Sequence, residues 1–239
     1  MRLSVSAREL GTPEAAWLGC PDLARCVDMA WGTPRRVVVI APHPDDEVLA
    51  VGGAMRRLGG ELVIVAVTDG EASHPRSLTV TRAELAIRRA GERAQALAAL
   101  GVTADVVRLG YADGQVDDGL AARLVPLLRR ADWCLAPWQH DGHPDHDATG
   151  RAAARACANA GVELARYLVW AWHWAEPARL PWGRARRIRL SPEDVAAKRA
   201  AIAAYRSQIT PLSPAPGDEA ILPPAVRARF ERPFELVLL

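Results

Sequence analysis

The run Val37-Val38-Val39-Ile40 leads, through Ala41, directly into Pro42-His43-Pro44-Asp45-Asp46-Glu47. Four β-branched residues in a row favour a strand, and a strand apolar on both sides belongs inside a parallel sheet covered by helices. Neither proline can donate to a sheet ladder, so the strand ends there. Residues 47–58 read as a helix, acidic at its start and basic at Arg56 and Arg57, the polarity the helix dipole favours. His43, Asp45, Asp46 and Glu47 are thereby expected just past the C-terminal end of a buried strand, where open α/β sheets place their ligands.

Residues 132–150 repeat the arrangement. A short apolar strand (133–136) meets Pro137, and a loop rich in His and Asp follows. The chain has six histidines, His43, His74, His140, His143, His146 and His173, and four of them fall in these two loops. His43, Asp46 and His146 supply the donors of a two-histidine, one-carboxylate metal site, suited to Zn²⁺ with an open position or to Fe²⁺. Asp45 and Asp145 are left for base and orienting roles.

Other segments complete an α/β pattern. Strands are expected at 61–67, 104–109, 162–174, 186–190 and 234–239. Helices are expected at 79–100, 118–130 (with Pro126 inside), 147–160 (capped by Asp147) and 195–208. Thr12-Pro13-Glu14 reads as a helix start with Thr12 as cap. The expected fold is α/β: a Rossmann-like, open, mostly parallel sheet flanked by helices, in a single domain, with residues 1–34 as lead-in helices. No internal repeat or domain boundary is visible. Half of the 239 residues are hydrophobic, enough for a sizeable core. A net charge of +2 calls for neither nucleic acid nor an anionic membrane surface. No apolar stretch approaches the roughly 18 residues a membrane helix needs. Residues 1–10 lack the apolar core of a signal peptide. Cys20, Cys26, Cys134 and Cys157 form no Cys-x-x-Cys pair, so reduced thiols in the cytoplasm are expected.

Ala41-Pro42-His43-Pro44-Asp45-Asp46-Glu47 and His143-Pro144-Asp145-His146 resemble the two signature motifs of the LmbE-like, or PIG-L, N-deacetylases. Lys198 with Tyr205-Arg206-Ser207-Gln208 is similar to a late helix of that family. The resemblance covers roughly residues 35 to 210 and leaves 211–239 as a C-terminal extension. It implies a metal-dependent hydrolase that removes acetyl from an N-acetylglucosamine-type conjugate by attack of a metal-bound water. His43, Asp46 and His146 would hold Zn²⁺, with Fe²⁺ as the alternative. Asp45 would be the base. His143 would stabilise the oxyanion or protonate the amine, and Asp145 would hydrogen-bond His143. Glu71 and Asp113 would face the substrate. Arg89 and Glu92 match a family Arg-x-x-Glu, although a solvated, salt-bridged face accounts for most charges of that helix. Some members carry Tyr where this chain has Asp141, which leaves Tyr111, Tyr205 or His173 as stand-ins.

The expected partner is a small-molecule or glycoconjugate N-acetyl sugar; a homo-oligomer stays open. Rival readings are an amidase for a non-sugar or thiol-conjugate amide, a Mg²⁺-binding receiver-type domain, and a non-catalytic sugar-binding module. Imidazole donors count against magnesium.

Overall fold

In the computed structural model residues 11–239 are described, and the reading of residues 1–10 lies outside the described residues. Eight strands share one sheet: β1 (Val27–Asp28), β2 (Arg36–Ala41), β3 (Glu61–Thr68), β4 (Asp105–Tyr111), β5 (Trp133–Pro137), β6 (Glu163–Tyr167), β7 (Ala185–Arg189) and β8 (Phe234–Leu238). Their order is β1-β7-β8-β6-β5-β2-β3-β4. Every neighbouring pair is parallel except those of β8, which runs antiparallel to both β6 and β7. The open, mostly parallel α/β sheet is the expected fold. Residues 211–239 are less of an extension than expected, because β8 sits inside the sheet.

The helices are α1 (Glu14–Leu18), α2 (Pro21–Arg25), α3 (Asp46–Arg57), α4 (Arg82–Leu100), α5 (Leu120–Leu128), α6 (Pro144–Ala160), α7 (Ala171–Trp174), α8 (Pro192–Ala204), α9 (Arg206–Ile209) and α10 (Pro224–Arg227). Successive residues of a strand point to opposite faces, and β2 is apolar on both. Val37 and Val39 join a core that includes residues of α3, α4 and α8. Val38 and Ile40 join a second core that includes Leu120, Leu124 and Leu128 of α5 and Ala152, Ala153 and Ala156 of α6. This two-sided burial makes β2 the fixed centre from which the following loop is aimed.

Helix α3 is broken at Val51 (φ −135°, ψ 20°). The break frees backbone donors, which would be costly to bury unpaired. Glu235 of β8 accepts the N–H groups of Gly53 and Ala54 at 2.7 and 2.8 Å, and Lys198 Nζ pairs with the same carboxylate at 2.6 Å. Helix α4 starts in a capping box, Thr81 with Glu84, and stops at Gly101 in the left-handed region.

Four local expectations are corrected. The segment 162–174 is a strand only to Tyr167, and its tryptophans continue into α7. Helix α6 begins at Pro144 with His143 as its cap, so Asp147 does not cap it but accepts the Gly142 N–H at 3.0 Å. Helix 195–208 is α8 followed, across Tyr205, by α9. The cap residue of α1 is Pro13; the Thr12 hydroxyl donates instead to the Ala175 carbonyl. Among the described residues no helix is long and apolar enough to cross a membrane.

Candidate active site

Strands β2 and β5 are adjacent and parallel, with Val37 beside Trp133 and Val39 beside Leu135. From β2 the chain steps outward to β3 and β4; β5 and β6 lie on its other side. The loops after β2 and β5 therefore leave the same end of the sheet on either side of the crevice where its order reverses, the usual ligand position in such sheets. They deliver His43, Asp45 and Asp46 from one side and His143, Asp145 and His146 from the other. The Thr68 hydroxyl and amide both donate to the Pro42 carbonyl, at 2.8 and 3.0 Å, and fix the first loop.

His43 Nδ1, Asp46 Oδ2 and His146 Nε2 converge. The separations are 3.3 Å between His43 and Asp46, 3.2 Å between His146 and Asp46, and 3.2 Å between the two nitrogens. Donors about 2.0 Å from a tetrahedral zinc stand about 3.3 Å from each other. The far nitrogens support the same reading. His146 Nδ1 lies 2.8 Å from Asp141 Oδ2, and His43 Nε2 lies 3.1 Å from Asp145 Oδ2 and 3.3 Å from Asp113 Oδ1. Each ring thus has a carboxylate on its outer nitrogen, the arrangement that leaves the inner nitrogen a lone pair for metal. Two lone pairs and a carboxylate oxygen facing one another fit a cation between them. The His143 ring also approaches this point, while His43, Asp113 and Asp145 form a second donor group, all within 4.8 Å, on the outer side of His43.

The charges are arranged accordingly. Burial alone would lower the pKa of His43, but Asp113, Asp145 and Asp46 carry it well above the ordinary value. Burial likewise opposes His146, yet Asp46 and Asp141 lift it to about 9. The protein alone therefore collects positive charge here as protons. His143 goes the other way, down to about 3, through burial and the neighbouring His43 and His146. Its Nδ1 accepts the Asp145 N–H at 3.2 Å, so the neutral ring carries its proton on Nε2. Asp45 is raised to about 7 by burial, held back from rising further by Arg89.

Several roles differ from the sequence reading. The Asp145 carboxylate does not hold His143; it faces His43 and accepts the Gly114 and Val116 N–H groups at 2.7 and 3.2 Å. Starting α6 at Pro144 puts Asp145 in its first turn and only the Asp145 amide next to the His143 ring. Glu47 is fully buried and takes no part in the cleft; its Oε1 meets Arg93 Nε at 3.0 Å and the Tyr205 hydroxyl at 3.2 Å. Glu71 stands behind the cleft, its Oε1 accepting the Asp113 N–H at 2.8 Å. Asp113 lines the cleft while its Oδ2 accepts the Ala72 N–H at 2.8 Å. Tyr111 and Tyr205 line no part of the cleft, and His173 Nδ1 meets Arg229 at 2.7 Å, so none takes the place of an active-site tyrosine.

Arg89, matched from sequence to a family Arg-x-x-Glu on a helix whose charges mostly read as solvated, is buried. It donates to the Gly70 and Pro44 carbonyls at 2.8 and 2.7 Å and to Asp45 Oδ2 at 3.1 Å. The Arg-x-x-Glu spacing was the available signal. Trp170 belongs to the aromatic run that the sequence offers as a candidate sugar-stacking wall, and it lines the cleft; Gly217 and residues 219–222 were not legible as cleft walls. The cleft has a volume of about 410 Å³ and is lined beyond the donors by Leu49, Arg76, Val169, Trp170, Gln208 and Ile221.

Residues 38–157 match the family model described as PIG-L, GlcNAc-PI de-N-acetylase. A diacetylchitobiose deacetylase of Thermococcus kodakarensis is 30% identical over 138 residues, 54% of this chain and 51% of that protein, so the chain spans about half that relative's length. A 1D-myo-inositol 2-acetamido-2-deoxy-alpha-D-glucopyranoside deacetylase of Corynebacterium urealyticum is 30% identical over 239 aligned positions, 74% of this chain and 71% of that protein. Among solved structures, a conserved protein of Thermus thermophilus superposes with a TM-score of 0.59 at 28% identity, over 81% of this chain and 84% of that one.

Proposed function

The chain belongs to the PIG-L family, and from that premise we propose that it is a metal-dependent hydrolase that removes acetyl from an N-acetylglucosamine-type sugar conjugate. The observation that carries this reading is the convergence of His43 Nδ1, Asp46 Oδ2 and His146 Nε2 within 3.3 Å of one another, beside an Asp45 carboxyl poised at about 7. Two relatives named for deacetylating sugars support the choice of substrate. Zn²⁺ is the proposed ion and Fe²⁺ the alternative, since two imidazoles and a carboxylate suit either better than magnesium.

A bound ion of this kind polarises a carbonyl oxygen and acidifies water. The residues then divide the proton work. Asp45, ionised, takes a proton from the attacking water as the new C–O bond forms. His143 donates from Nε2 to the carbonyl oxygen as it gains charge, a role that suits a ring kept neutral at pH 7. Asp45, now protonated, returns its proton to the nitrogen as the C–N bond breaks, leaving acetate and a free amine. Arg89 positions Asp45, and Asp113 with Asp145 positions His43. Asp113 also remains the proposed contact for sugar hydroxyls, with Glu71 bracing its amide. Four free, buried cysteines suit the cytoplasm as the site of reaction.

The test is metal content of protein purified without chelator, together with amine release from a panel of N-acetyl sugars and non-sugar amides. About one zinc or iron per chain with metal-dependent release from N-acetyl sugars is expected. Failure to take up either ion after reconstitution overturns the reading. Release only from non-sugar amides moves the substrate to the amidase class.

A further inference from the structure

Asp141 lies in the loop between β5 and α6 and is completely buried. Its Oδ1 accepts the N–H groups of Val169 and Ala171 at 2.9 and 3.0 Å. Its Oδ2 accepts the Trp170 N–H at 2.9 Å and faces His146 Nδ1 at 2.8 Å. One carboxylate thus gathers three successive backbone donors at the start of α7 and holds a ring assigned to the metal. The gathered turn is not remote from the cleft. Val169 and Trp170 line it, and the Trp170 ring lies 23° from parallel with His143 at a centroid distance of 6.4 Å. The Trp174 indole N–H closes the arrangement by donating to the Asp141 carbonyl at 2.5 Å. Gly142, at φ +95°, leaves room for that indole where any Cβ would collide with it.

We propose that Asp141 couples metal occupancy to the shape of the cleft's aromatic wall. The proposal rests on the assignment of His146 as a metal ligand, not on the identity of the substrate. All four contacts require an acceptor, and a carboxylate offers nothing else. The Nδ1–H of His146 points at Oδ2, which fixes the tautomer that leaves Nε2 bare toward Asp46 and His43. A cation drawing on Nε2 strengthens the Nδ1–H···Oδ2 bond and so steadies the carboxylate that holds residues 169–171. By reciprocity, a turn held in place favours the metal.

Asp141→Asn separates these contacts. The amide oxygen can keep Val169 and Ala171, but the NH₂ group then confronts two donors, the Trp170 N–H and His146 Nδ1–H. Shifting the His146 proton to Nε2 relieves the second clash and blocks the metal-facing nitrogen.

The experiment is amide exchange at Val169, Trp170 and Ala171 in wild-type protein stripped of metal and reloaded with Zn²⁺, combined with Zn²⁺ affinity by chelator competition in wild type and Asp141→Asn. Zinc is expected to slow exchange at these amides about tenfold or more in the wild type, and the substitution to weaken zinc binding about 10- to 100-fold and abolish the slowing. Wild-type exchange that is the same with and without zinc overturns the proposal. So does zinc affinity in folded Asp141→Asn within about twofold of wild type. If Asp141→Asn does not fold, the wild-type exchange alone decides. Neither readout uses a substrate, so coupling without deacetylation would overturn only the proposed function.

Discussion

Asp45 has φ 135° and ψ −30°, a left-handed backbone state that a residue with a side chain occupies at a cost of about 1–3 kcal/mol. The neighbours hold it there: Arg89 on its carboxylate, and the amides of Val48 and Leu49 on its carbonyl at 3.0 and 2.8 Å. Such strain belongs to a residue whose direction matters more than its comfort. Asp45→Asn is expected to retain zinc and lose about 10²- to 10⁴-fold in kcat, measured by metal content and amine release. In the proposed mechanism Asp45 works ionised, so kcat/KM should fall as pH drops through the Asp45 pKa. That limb is expected at or below the value of about 7 set by the protein alone, because a bound cation favours the carboxylate. A pH–rate profile with no acid limb between pH 4 and 8 would remove Asp45 from the role. At this scale the donor atoms were legible from two loops crowded with His and Asp, but their directions were not. Whether the Asp145 carboxylate meets His143 or His43 depends on where α6 begins, a matter of one turn of backbone.

The elements that were legible are those whose periodicity is local. The apolar runs in β2, β3 and β5 announce buried strands, and the long helix expected over 79–100 is α4, whose start the Thr81–Glu84 capping box sets at Arg82. The segment 162–174 misled because alternating tryptophans fit a strand as well as a short helix; what bends the chain is the distant Asp141 carboxylate on residues 169–171. The similar Lys…Tyr-x-Ser-Gln stretch also becomes intelligible only in three dimensions. Each of three residues answers a buried acid: Lys198 meets Glu235 at 2.6 Å, the Tyr205 hydroxyl donates to Glu47 at 3.2 Å, and the Ser207 hydroxyl donates to Glu92 at 2.6 Å. The segment is thus a brace behind the cleft. Lys198→Met is expected to cost about 3–5 kcal/mol in urea denaturation, because it leaves the Glu235 charge buried without its cation. Adding Glu235→Gln should recover much of that loss, since one amide oxygen still accepts from Gly53 or Ala54. A single substitution with no measurable cost would refute the brace.

Across the whole molecule, the proposed metal centre draws its residues from both halves of the sheet on either side of the β2–β5 crevice, so loading it should tie them together. Zinc at about a thousand times its dissociation constant contributes about 4 kcal/mol to the folded state. In a domain of this size that raises the melting temperature by about 2–4 °C per kcal/mol. Chelator should reverse the shift, and an unchanged melting curve on reloading would argue against a site at this crevice. The sequence pattern made the parallel core legible but hid where β8 goes, since strand pairing is a choice of partner and not of local residues.

That position carries a consequence for biosynthesis. Strands β1 and β7 reach the rest of the sheet only through β8, and β8 is the last of the eight strands to emerge during translation. Until residues 234–238 are made, the β6 side lacks its neighbour, β7 has nothing to join it to the sheet, and the broken α3 lacks the Glu235 carboxylate. A chain stopped after Pro233 is expected to collect as an aggregation-prone intermediate, and adding the missing strand as a separate peptide should rescue its solubility.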